Sequence, residues 1–356
     1  SSIREIIKDA KKGKIFILVD DKNRENEGDL IIPASKCNSK NINFMAMHGR
    51  GLICLALSKK QVDKLGLPLM SSVNKARMQT AFTVSIEAKK GITTGISAFD
   101  RAKTIKVAIN TKVKKKDIVS PGHVFPLVSK NGGVLERAGH TEASVDISRL
   151  AKLNPSAVIC EVMNEDGRMA RYDDLLKFSK KHNLKIASIE DLISYRLKNE
   201  KLIFNTANKS LKINKYGKFD IKVYKNKLDG SENYVITKGI FKSNKAIRVR
   251  VISTNIISNF LNFNKDILNT SLNYLSKFNT FALIVINNQN ISPIKKKVDK
   301  IKTNSILRYY GIGAQIIKDL KIKNMILVTR SKKKIIGLDG FGIKIKKQEI
   351  IKWKKY

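Results

Sequence analysis

A run of acidic residues near the start of the chain offers ligands for a cation. Residues 24–29 read Arg-Glu-Asn-Glu-Gly-Asp, so Glu25, Glu27 and Asp29 alternate along the sequence. Side chains two residues apart in an extended segment point to the same side. These three carboxylates could therefore share one hard cation or one ligand rich in hydroxyl groups. Taken alone, the run fits a solvated acidic loop equally well.

Two histidines occur where the chain is conformationally restricted. His140 lies within residues 137–142, Arg-Ala-Gly-His-Thr-Glu, at the predicted start of a helix. An arginine and a threonine at a helix start suit a phosphate group. A histidine there can ligate a metal or carry a proton near neutral pH, although it is more often a cap or a packing residue. His123 stands between Pro121-Gly122 and Pro126, which predicts a rigid turn.

Two more segments offer groups that could take part in a reaction. Glu161 follows Cys160 at the end of an apolar run. A carboxyl group in such surroundings is expected to have a raised pKa and to act as a general acid or base, and a buried ion pair explains it equally well. Residues 93–97 place hydroxyl and amide groups, including those of Thr94, before a predicted helix, which by itself is a weak indication of an anion site.

These segments jointly favour one class of reaction. An acidic loop suited to a metal, two restricted histidines, a carboxyl group at a strand end and an Arg/Thr pair for a phosphate fit the enolisation of a sugar phosphate. In such a reaction a metal holds neighbouring oxygens and polarises a carbonyl group while a base removes the adjacent proton.

The elements that must position these groups alternate between strand and helix. Short apolar runs predict buried strands, as at 157–163, and longer amphipathic segments predict helices, as at 173–182. The same alternation resumes after a change of composition near residues 198–206. We therefore predict a two-domain α/β (α+β) protein, with a mixed sheet in residues 1–200 and a smaller α/β domain in residues 206–356.

Two finer predictions concern less regular segments. Residues 131–136, around a pair of glycines, are predicted to form a strand. The lysine-rich end of the chain, residues 344–356, is predicted to be a frayed basic tail.

The composition excludes several classes of protein. Hydrophobic residues make up 42% of the chain and charged residues 28%, which argues against intrinsic disorder and fibrous repeats. No run of about 18 apolar residues predicts a membrane-spanning helix, and no signal segment follows Ser1, so we expect a cytoplasmic protein. The three cysteines are too few and too scattered for a disulfide framework or a four-cysteine zinc site.

The net charge of +40 is distributed unevenly. Residues 201–356 contain 34 Lys and Arg against 8 Asp and Glu, and neither histidine nor cysteine. A basic half can indicate an anionic partner, and a nucleic-acid-binding module is one alternative function. We favour compositional drift under a biased codon supply, because the lysines are spread along the segment. No aromatic-rich RNA-binding motif is present, so nucleic acid is not expected as a partner.

Seven stretches, in order through residues 1–200, make the first part recognisable. They are Asp20–Asp29, Phe44–Leu55, Thr80–Ile86, Thr93–Arg101, Pro121–Leu127, Arg137–Glu142 and Ile159–Met169. In these stretches the chain resembles the 3,4-dihydroxy-2-butanone 4-phosphate synthases of riboflavin biosynthesis. The resemblance implies a lyase that converts D-ribulose 5-phosphate to formate and L-3,4-dihydroxybutan-2-one 4-phosphate with Mg²⁺, or Mn²⁺ as an alternative. It also implies a homodimer with its sites near the subunit interface.

The resemblance further implies a role for each matching side chain. Glu25 and His140 are expected to hold the metal, and His123 and Glu161 to be essential for proton transfer. Arg137 and Thr141 are expected to lie nearest the phosphate. The full set expected to bind the substrate is Arg24, Glu25, Glu27, Asp29, Thr94, Arg137, Ala138, Gly139, His140, Thr141 and Glu161.

The second part resembles GTP cyclohydrolase II, the domain fused to this synthase in bifunctional proteins of the pathway. The resemblance rests on residues 308–316 and 337–342, with a weaker stretch at 248–259. That family needs three cysteine thiolates on a zinc ion that activates water, whereas Asn255 stands where the first should be and residues 201–356 contain no cysteine. We therefore expect no zinc, no cyclohydrolase activity, and a degenerate domain that serves dimerisation, stability or protein binding. The missing thiolates argue against the alternative, a bifunctional enzyme with a rearranged second site.

Overall fold

The computed structural model describes most of the chain and divides it into two compact units. The described residues are 1–22, 24–75, 77–213, 216–242, 245–254, 267–287, 303–331 and 341–351. The first unit is Ser1–Ile193 and the second is Ser194–Tyr356. Each contains strands and helices around a mixed sheet, which confirms the predicted fold class. Parts of three sequence-based assignments lie outside the described residues: 255–259 with Asn255, 337–340 and 352–356.

The first unit alternates short strands with helices. Its strands are β1 (Phe16–Val19), β2 (Gly28–Pro33), β3 (Cys54–Ser58), β4 (Ile86–Ala88), β5 (Ile118–Ser129), β6 (Ser156–Glu161) and β7 (Lys185–Ser188). Its α-helices are α1 (Ile3–Lys12), α2 (Ser39–Phe44), α3 (Lys59–Leu65), α4 (Ala98–Ala108), α5 (His140–Leu150), α6 (Tyr172–Lys181) and the first part of α7 (Ile189–Asn199), whose remainder belongs to the second unit. Shorter helical turns lie at Ala34–Lys36, Met45–Gly49, Lys115–Asp117 and Gly133–Leu135.

The helix ends follow local sequence signals. Ser2 and Glu5 form a reciprocal capping box at the start of α1, and Gly13 closes that helix in the left-handed conformation at φ +71°. Ser97 caps α4 by accepting the backbone N–H of Asp100 at 3.0 Å. These signals explain why α1 ends at Lys12, before Gly13, and why α4 begins directly after Ser97.

The sheet of the first unit brings several strand ends into one row. Its order is β4-β5-β3-β6-β2-β1-β7, with β1–β7 and β3–β5 parallel and the other pairs antiparallel. The register pairs Leu18 with Asp29 and Asp29 with Glu161. The end of β1, the start of β2 and the end of β6 therefore meet at one edge of the sheet, where the polar segments of the sequence begin.

Helix α5 lies inside the core of the first unit. Its residues 140–148 are all buried. The hydroxyls of Ser144 and Ser148 donate to the carbonyl oxygens of Thr141 and Ser144, each at 3.0 Å, so they need no outside partner. The helix packs on β2, β3 and β6, which fixes its first residue, His140, relative to the sheet.

The second unit also contains a seven-stranded sheet in its described part. Its strands are β8 (Ile203–Ile213), β9 (Gly217–Asn226), β10 (Glu232–Lys238), β11 (Ile247–Thr254), β12 (Phe281–Asn287), β13 (Asn324–Thr329) and β14 (Lys344–Ile350). The order is β14-β13-β11-β12-β10-β9-β8, and the pairs β14–β13, β13–β11 and β11–β12 are parallel. Its helices are Ile267–Leu275 and Thr303–Asp319. No helix in the described ranges is long and apolar enough to cross a membrane.

Two predictions about irregular segments are wrong. Residues 131–136 do not form a strand, because Asp146 of α5 accepts the backbone N–H of Val134 at 2.9 Å and holds a helical turn there. The lysine-rich segment 344–350 is not frayed. It pairs with β13 as an edge strand, a position that favours lysine because the charge discourages further pairing.

Candidate active site

The loop between β1 and β2 is folded around the carboxylate of Asp20. Asp20 accepts the backbone N–H of Glu25 at 3.2 Å and that of Glu27 at 2.9 Å. The guanidinium of Arg24 donates to Asp20 at 2.7 Å and also contacts the carboxylate of Glu25. Because the Asp20 side chain is fully buried and binds two amides and a cation, it holds the acidic side chains of the loop at the end of β1.

The ring of His140 is buried against this loop. Its Nε2 lies 3.2 Å from the carbonyl oxygen of Leu18, and because a carbonyl oxygen only accepts, Nε2 carries the proton. Nδ1 lies 3.6 Å from Asp29 Oδ1 and 4.0 Å from Glu25 Oε2. Burial lowers the pKa of His140 to about 4. The ring is therefore neutral at neutral pH and presents the Nδ1 lone pair to the acidic loop.

Three side chains of this cluster can act together as metal ligands. Ligand atoms of Asp20, Glu25 and His140 all lie within 4.8 Å of one another. Carboxylate oxygens are the ligands that Mg²⁺ prefers, and a neutral imidazole beside them also suits Mn²⁺. The residues present therefore fit a divalent cation. The structure brings the predicted ligands Glu25 and His140 together and adds Asp20. The sequence feature that could have indicated Asp20 is its position at the end of a buried strand.

Two further carboxyl groups, buried Asp29 and half-buried Glu161, lie next to this cluster. Asp29 and Glu161 face each other on β2 and β6, and Glu161 Oε2 accepts the backbone N–H of Leu52 at 2.8 Å. Burial raises the pKa of Glu161 and raises that of Asp29 well above its usual range. A methyl group added at Gly51 would lie 2.5 Å from Glu161 Oε2. The absence of a side chain at Gly51 therefore makes room for the Glu161 carboxyl group.

Arg171 supports the acidic loop from the opposite side. Its Nη1 donates to the carbonyl oxygens of Glu25 at 2.7 Å and Asn26 at 2.8 Å, and it lies 3.7 Å from Glu27 Oε1. Burial, followed by the charge of Glu25, raises the pKa of Glu27, while Arg171 opposes that shift. Sequence reasoning missed Arg171, because it reaches the loop from 146 residues away along the chain.

A cavity of about 580 Å³ opens beside the acidic loop. Its lining combines four cationic side chains with polar and acidic ones: Lys22, Arg24, Glu25, Asn26, Glu27, Arg77, Met78 and Arg171. The mixture of cations and carboxylates suits an anionic ligand that also carries hydroxyl groups.

Residues 137–141 lead from this region into α5. Arg137 donates to Glu142 Oε2 at 2.6 Å, to the Met78 carbonyl oxygen at 3.1 Å and to Thr80 Oγ1 at 3.0 Å. Its guanidinium is therefore fixed by a buried carboxylate and by the segment that lines the cavity. Ala138 is half-buried, Gly139 caps α5, and Thr141 is buried in the first turn of the helix.

His123 lies on a different strand of the sheet from Glu161, and Thr94 lies in a loop outside the sheet. His123 is on β5 and Glu161 on β6, and β3 runs between these strands. His123 Nδ1 contacts the carboxylate of Glu87, another residue that sequence reasoning missed. Thr94 is exposed in the loop before α4, next to Gly95. The structure thus gathers Arg24, Glu25, Glu27, Asp29, His140 and Glu161 at one edge of the sheet, and places His123 and Thr94 apart from them.

Comparison with known sequences identifies the first unit. A sequence model of 3,4-dihydroxy-2-butanone 4-phosphate synthase matches residues 4–195. The chain belongs to the 3,4-dihydroxy-2-butanone 4-phosphate synthase family. The protein is therefore an enzyme, a lyase of riboflavin biosynthesis, as the motifs predicted. A second model, GTP cyclohydrolase II, matches residues 205–350, which confirms the predicted fusion of the two domain types.

Relatives of this synthase family match nearly the whole chain. The riboflavin biosynthesis protein RibBA of Aquifex aeolicus is 44% identical over 99% of this chain and 92% of its own length. A 3,4-dihydroxy-2-butanone 4-phosphate synthase of Photobacterium phosphoreum is 42% identical over 97% of this chain and 98% of its own length. The second name mentions the synthase alone, although that protein matches both domains of this chain.

Solved structures of the synthase family agree with the fold. RibBX, a two-domain 3,4-dihydroxy-2-butanone 4-phosphate synthase from A. baumannii, has a TM-score of 0.83 and 37% identity, covering 99% of this chain and 100% of that one. A synthase solved in complex with two magnesium ions has a TM-score of 0.54 and 39% identity, covering 56% of this chain and 98% of that one.

Proposed function

We propose that this chain converts D-ribulose 5-phosphate to formate and L-3,4-dihydroxybutan-2-one 4-phosphate in a magnesium-assisted reaction carried out by residues 1–200. The observation that carries the proposal is the cluster of candidate metal ligands formed by Asp20, Glu25 and His140, with the buried Asp29 3.6 Å from His140. The solved relative that holds two magnesium ions supports a divalent cation in this family.

Glu25 and His140 would hold the metal, with Asp20 as a further ligand. Bound there, Mg²⁺ or Mn²⁺ supplies positive charge that stabilises a developing oxyanion on the substrate. The neutral His140 ring is suited to this role because its Nε2–H is bound to Leu18 and its Nδ1 faces Glu25. Hydrogen bonds of this kind orient a ligating imidazole.

The phosphate of the substrate would bind between Arg24 and the start of α5. Thr141 lies in the first turn of α5 and Arg137 lies just before that helix. Backbone amides there also attract anions, and Ala138 and Gly139 would let the ligand approach the backbone closely. Glu142 and Thr80 fix the Arg137 guanidinium, so little side-chain entropy is lost on binding. The hydroxyl groups of the sugar would contact Glu27, Asp29 and Thr94.

Glu161 and His123 would transfer protons. The raised pKa of Glu161 keeps its proton affinity closer to the operating pH, so it can take a proton from carbon and return it. His123 is 44% exposed at its side chain and so is accessible to an incoming substrate.

We also propose a homodimer, because exposed apolar side chains occur on β5, which carries His123, and in the segment that follows Gly95. Ile96, Phe99 and Val119 are 54%, 75% and 39% exposed, and Val119 pairs with the neighbouring residue Glu87. Clusters of exposed apolar side chains favour burial against another surface, and a second copy would place His123 at the interface. Sedimentation velocity tests this: wild type is expected to sediment as a dimer and Phe99→Asp as a monomer.

The second domain, residues 206–356, is proposed to have no cyclohydrolase activity. Residues 201–356 contain no cysteine and no histidine. A zinc ion held by three thiolates, which such a reaction needs to activate water, cannot be built from this segment.

A formate assay on the full-length protein tests both parts of the proposal. Magnesium-dependent formate from ribulose 5-phosphate is expected, with loss of activity in EDTA, no turnover of GTP and no zinc by metal analysis. His123→Ala and Glu161→Gln are expected to abolish turnover without unfolding the protein, while His182→Ala, a matched histidine in a separate aromatic cluster, stays active. Full activity in either site variant would contradict the assigned roles, and GTP turnover would contradict the inactive second domain.

A further inference from the structure

The β4–β5 ladder is interrupted at the segment that contains His123. Ile86 pairs with Val124, but the next residue, Glu87, pairs with Val119. The residues between Val119 and Val124 therefore leave the ladder as an excursion of β5. Interruptions of this kind redirect a side chain and are common beside active sites.

The excursion is pinned by hydrogen bonds to one residue. The Ser85 carbonyl oxygen accepts the hydroxyl of Ser120 at 2.7 Å, and the Ser85 hydroxyl oxygen accepts the backbone N–H of Gly122 at 3.0 Å. Both bonds lie within three residues of His123. The backbone that carries the imidazole is therefore fixed to the strand that carries Glu87.

The Glu87 side chain lies in a narrow space between two glycines. Its side chain is 14% exposed, whereas that of His123 is 44% exposed. A methyl group added at Gly122 would lie 2.6 Å from Glu87 Cγ, and one added at Gly95 would collide with the Glu87 carboxylate and lie 2.8 Å from His123 Nδ1. Gly122 and Gly95 thus lie on the two sides of the Glu87 side chain, and their backbones restrict its carboxylate to positions that face His123.

The backbone at Gly95 is itself held in place by the buried carboxylate of Asp100. Asp100 accepts the backbone N–H groups of Thr93 at 3.1 Å and Gly95 at 3.0 Å, and the Thr93 hydroxyl at 2.7 Å. Gly95 has φ +94°, a conformation that favours glycine. The contact between Glu87 and His123 is therefore supported by the Ser85 hydrogen bonds, by the two glycines and by the Asp100 carboxylate.

We propose that Glu87 is a positioning residue that orients His123 for proton transfer. A carboxylate on Nδ1 fixes the imidazole as the Nδ1–H tautomer, leaves Nε2 free to exchange a proton with substrate, and stabilises the ring when it becomes charged. Glu87 is too enclosed to reach the substrate itself, so it acts through His123. This inference rests on the proposed function, because it takes His123 as a proton-transfer group.

Kinetics of Glu87→Gln test the proposal. Gln keeps the size of the side chain but removes the charge, and we expect kcat to fall by about 100-fold while KM for ribulose 5-phosphate changes by less than about threefold. Glu87→Asp, which keeps the charge, is expected to retain more activity than Glu87→Gln. Glu190→Gln removes an exposed glutamate on α7 and is expected to leave both constants unchanged. A kcat for Glu87→Gln within about twofold of wild type would overturn the proposal.

Imidazole ¹⁵N NMR on the full-length protein gives a readout independent of turnover. The chain has four histidines, so the His123→Ala spectrum identifies the His123 signals. The Nδ1–H tautomer is expected in wild type and Glu190→Gln, and a shift towards Nε2–H in Glu87→Gln, or in Glu87→Ala if Glu87→Gln does not fold. A wild-type Nε2–H tautomer would overturn the proposal. Full activity in His123→Ala, with the tautomer as expected, would instead mean that the proposed function has assigned His123 wrongly.

Discussion

Replacing Arg171 by alanine should weaken the activation of the enzyme by magnesium, because it removes a support of the acidic loop. Arg171 donates to the carbonyl oxygens of Glu25 and Asn26, while Asp20 accepts the amides of Glu25 and Glu27 on the other side. The Asn26 backbone is left-handed, at φ +55°, a conformation that is uncommon outside glycine and that asparagine adopts more readily than most residues. Without Arg171, the loop loses its outer support and spends more time in conformations that cannot bind a cation.

The size of the effect follows from the two hydrogen bonds. A hydrogen bond to a charged group contributes about 1.5–3 kcal/mol when it is shielded from water. The Arg171 side chain is 48% exposed, so water competes and we take about 1 kcal/mol for each bond. A total of about 2 kcal/mol corresponds to about a 30-fold shift in equilibrium. The magnesium concentration for half-maximal activity should therefore rise by about 30-fold in Arg171→Ala.

A magnesium titration of formate production measures this shift. At saturating Mg²⁺ the variant should recover a kcat within about threefold of wild type, because the metal itself then orders the loop. Arg168→Ala is the matched control, since Arg168 is three residues away, 86% exposed and lies 3.6 Å from Asp166, and it should titrate like wild type. A half-maximal concentration within about twofold of wild type for Arg171→Ala, or an equal shift in Arg168→Ala, would refute this reasoning.

Two further predictions concern the buried carboxylates. Burial raises the pKa of Glu161 above its ordinary 4.5, so the protonated carboxyl group favours the folded state. Its contribution to the free energy of unfolding is fully present below pH 4.5 and is lost as the pH rises through the raised pKa. Glu161→Gln should therefore melt at a higher temperature than wild type at pH 8, with no difference at pH 4, and an equal melting temperature at both pH values would count against burial as the cause. Asp20→Asn should weaken magnesium activation by about 10- to 100-fold, because it removes one ligand charge and weakens the anchor of the loop. The same titration measures it, and an unchanged half-maximal concentration would exclude Asp20 from the metal site.

The sequence predicts those parts of the site that local patterns encode. The acidic run, the segment before α5 and the carboxyl end of β6 each combine a polar cluster with a neighbouring apolar element, so their chemistry could be read from a few consecutive residues. Asp20 carries the same signal as Glu161, a carboxylate at the end of a buried strand, and could have been found by the same argument.

Glu87 and Arg171 could not be found in this way. Glu87 lies 36 residues from His123 and Arg171 lies 146 residues from Glu25. Each contact depends on strand pairing or helix packing that no local pattern specifies. The failure at residues 131–136 has the same origin, because the deciding group is the Asp146 carboxylate on α5.

The continuous burial of residues 140–148 also limits which side chains α5 can accommodate. Lysine and asparagine are abundant elsewhere in the chain, yet residues 133–150 contain neither. A longer side chain in the buried helix would displace His140, and an added lysine would leave a charge without a partner. In the second unit, by contrast, residues 204–210 of β8 are all exposed, where a long charged side chain can extend into water. We therefore expect substitutions to lysine to be tolerated on exposed strands such as β8 and to destabilise the helix that begins at His140.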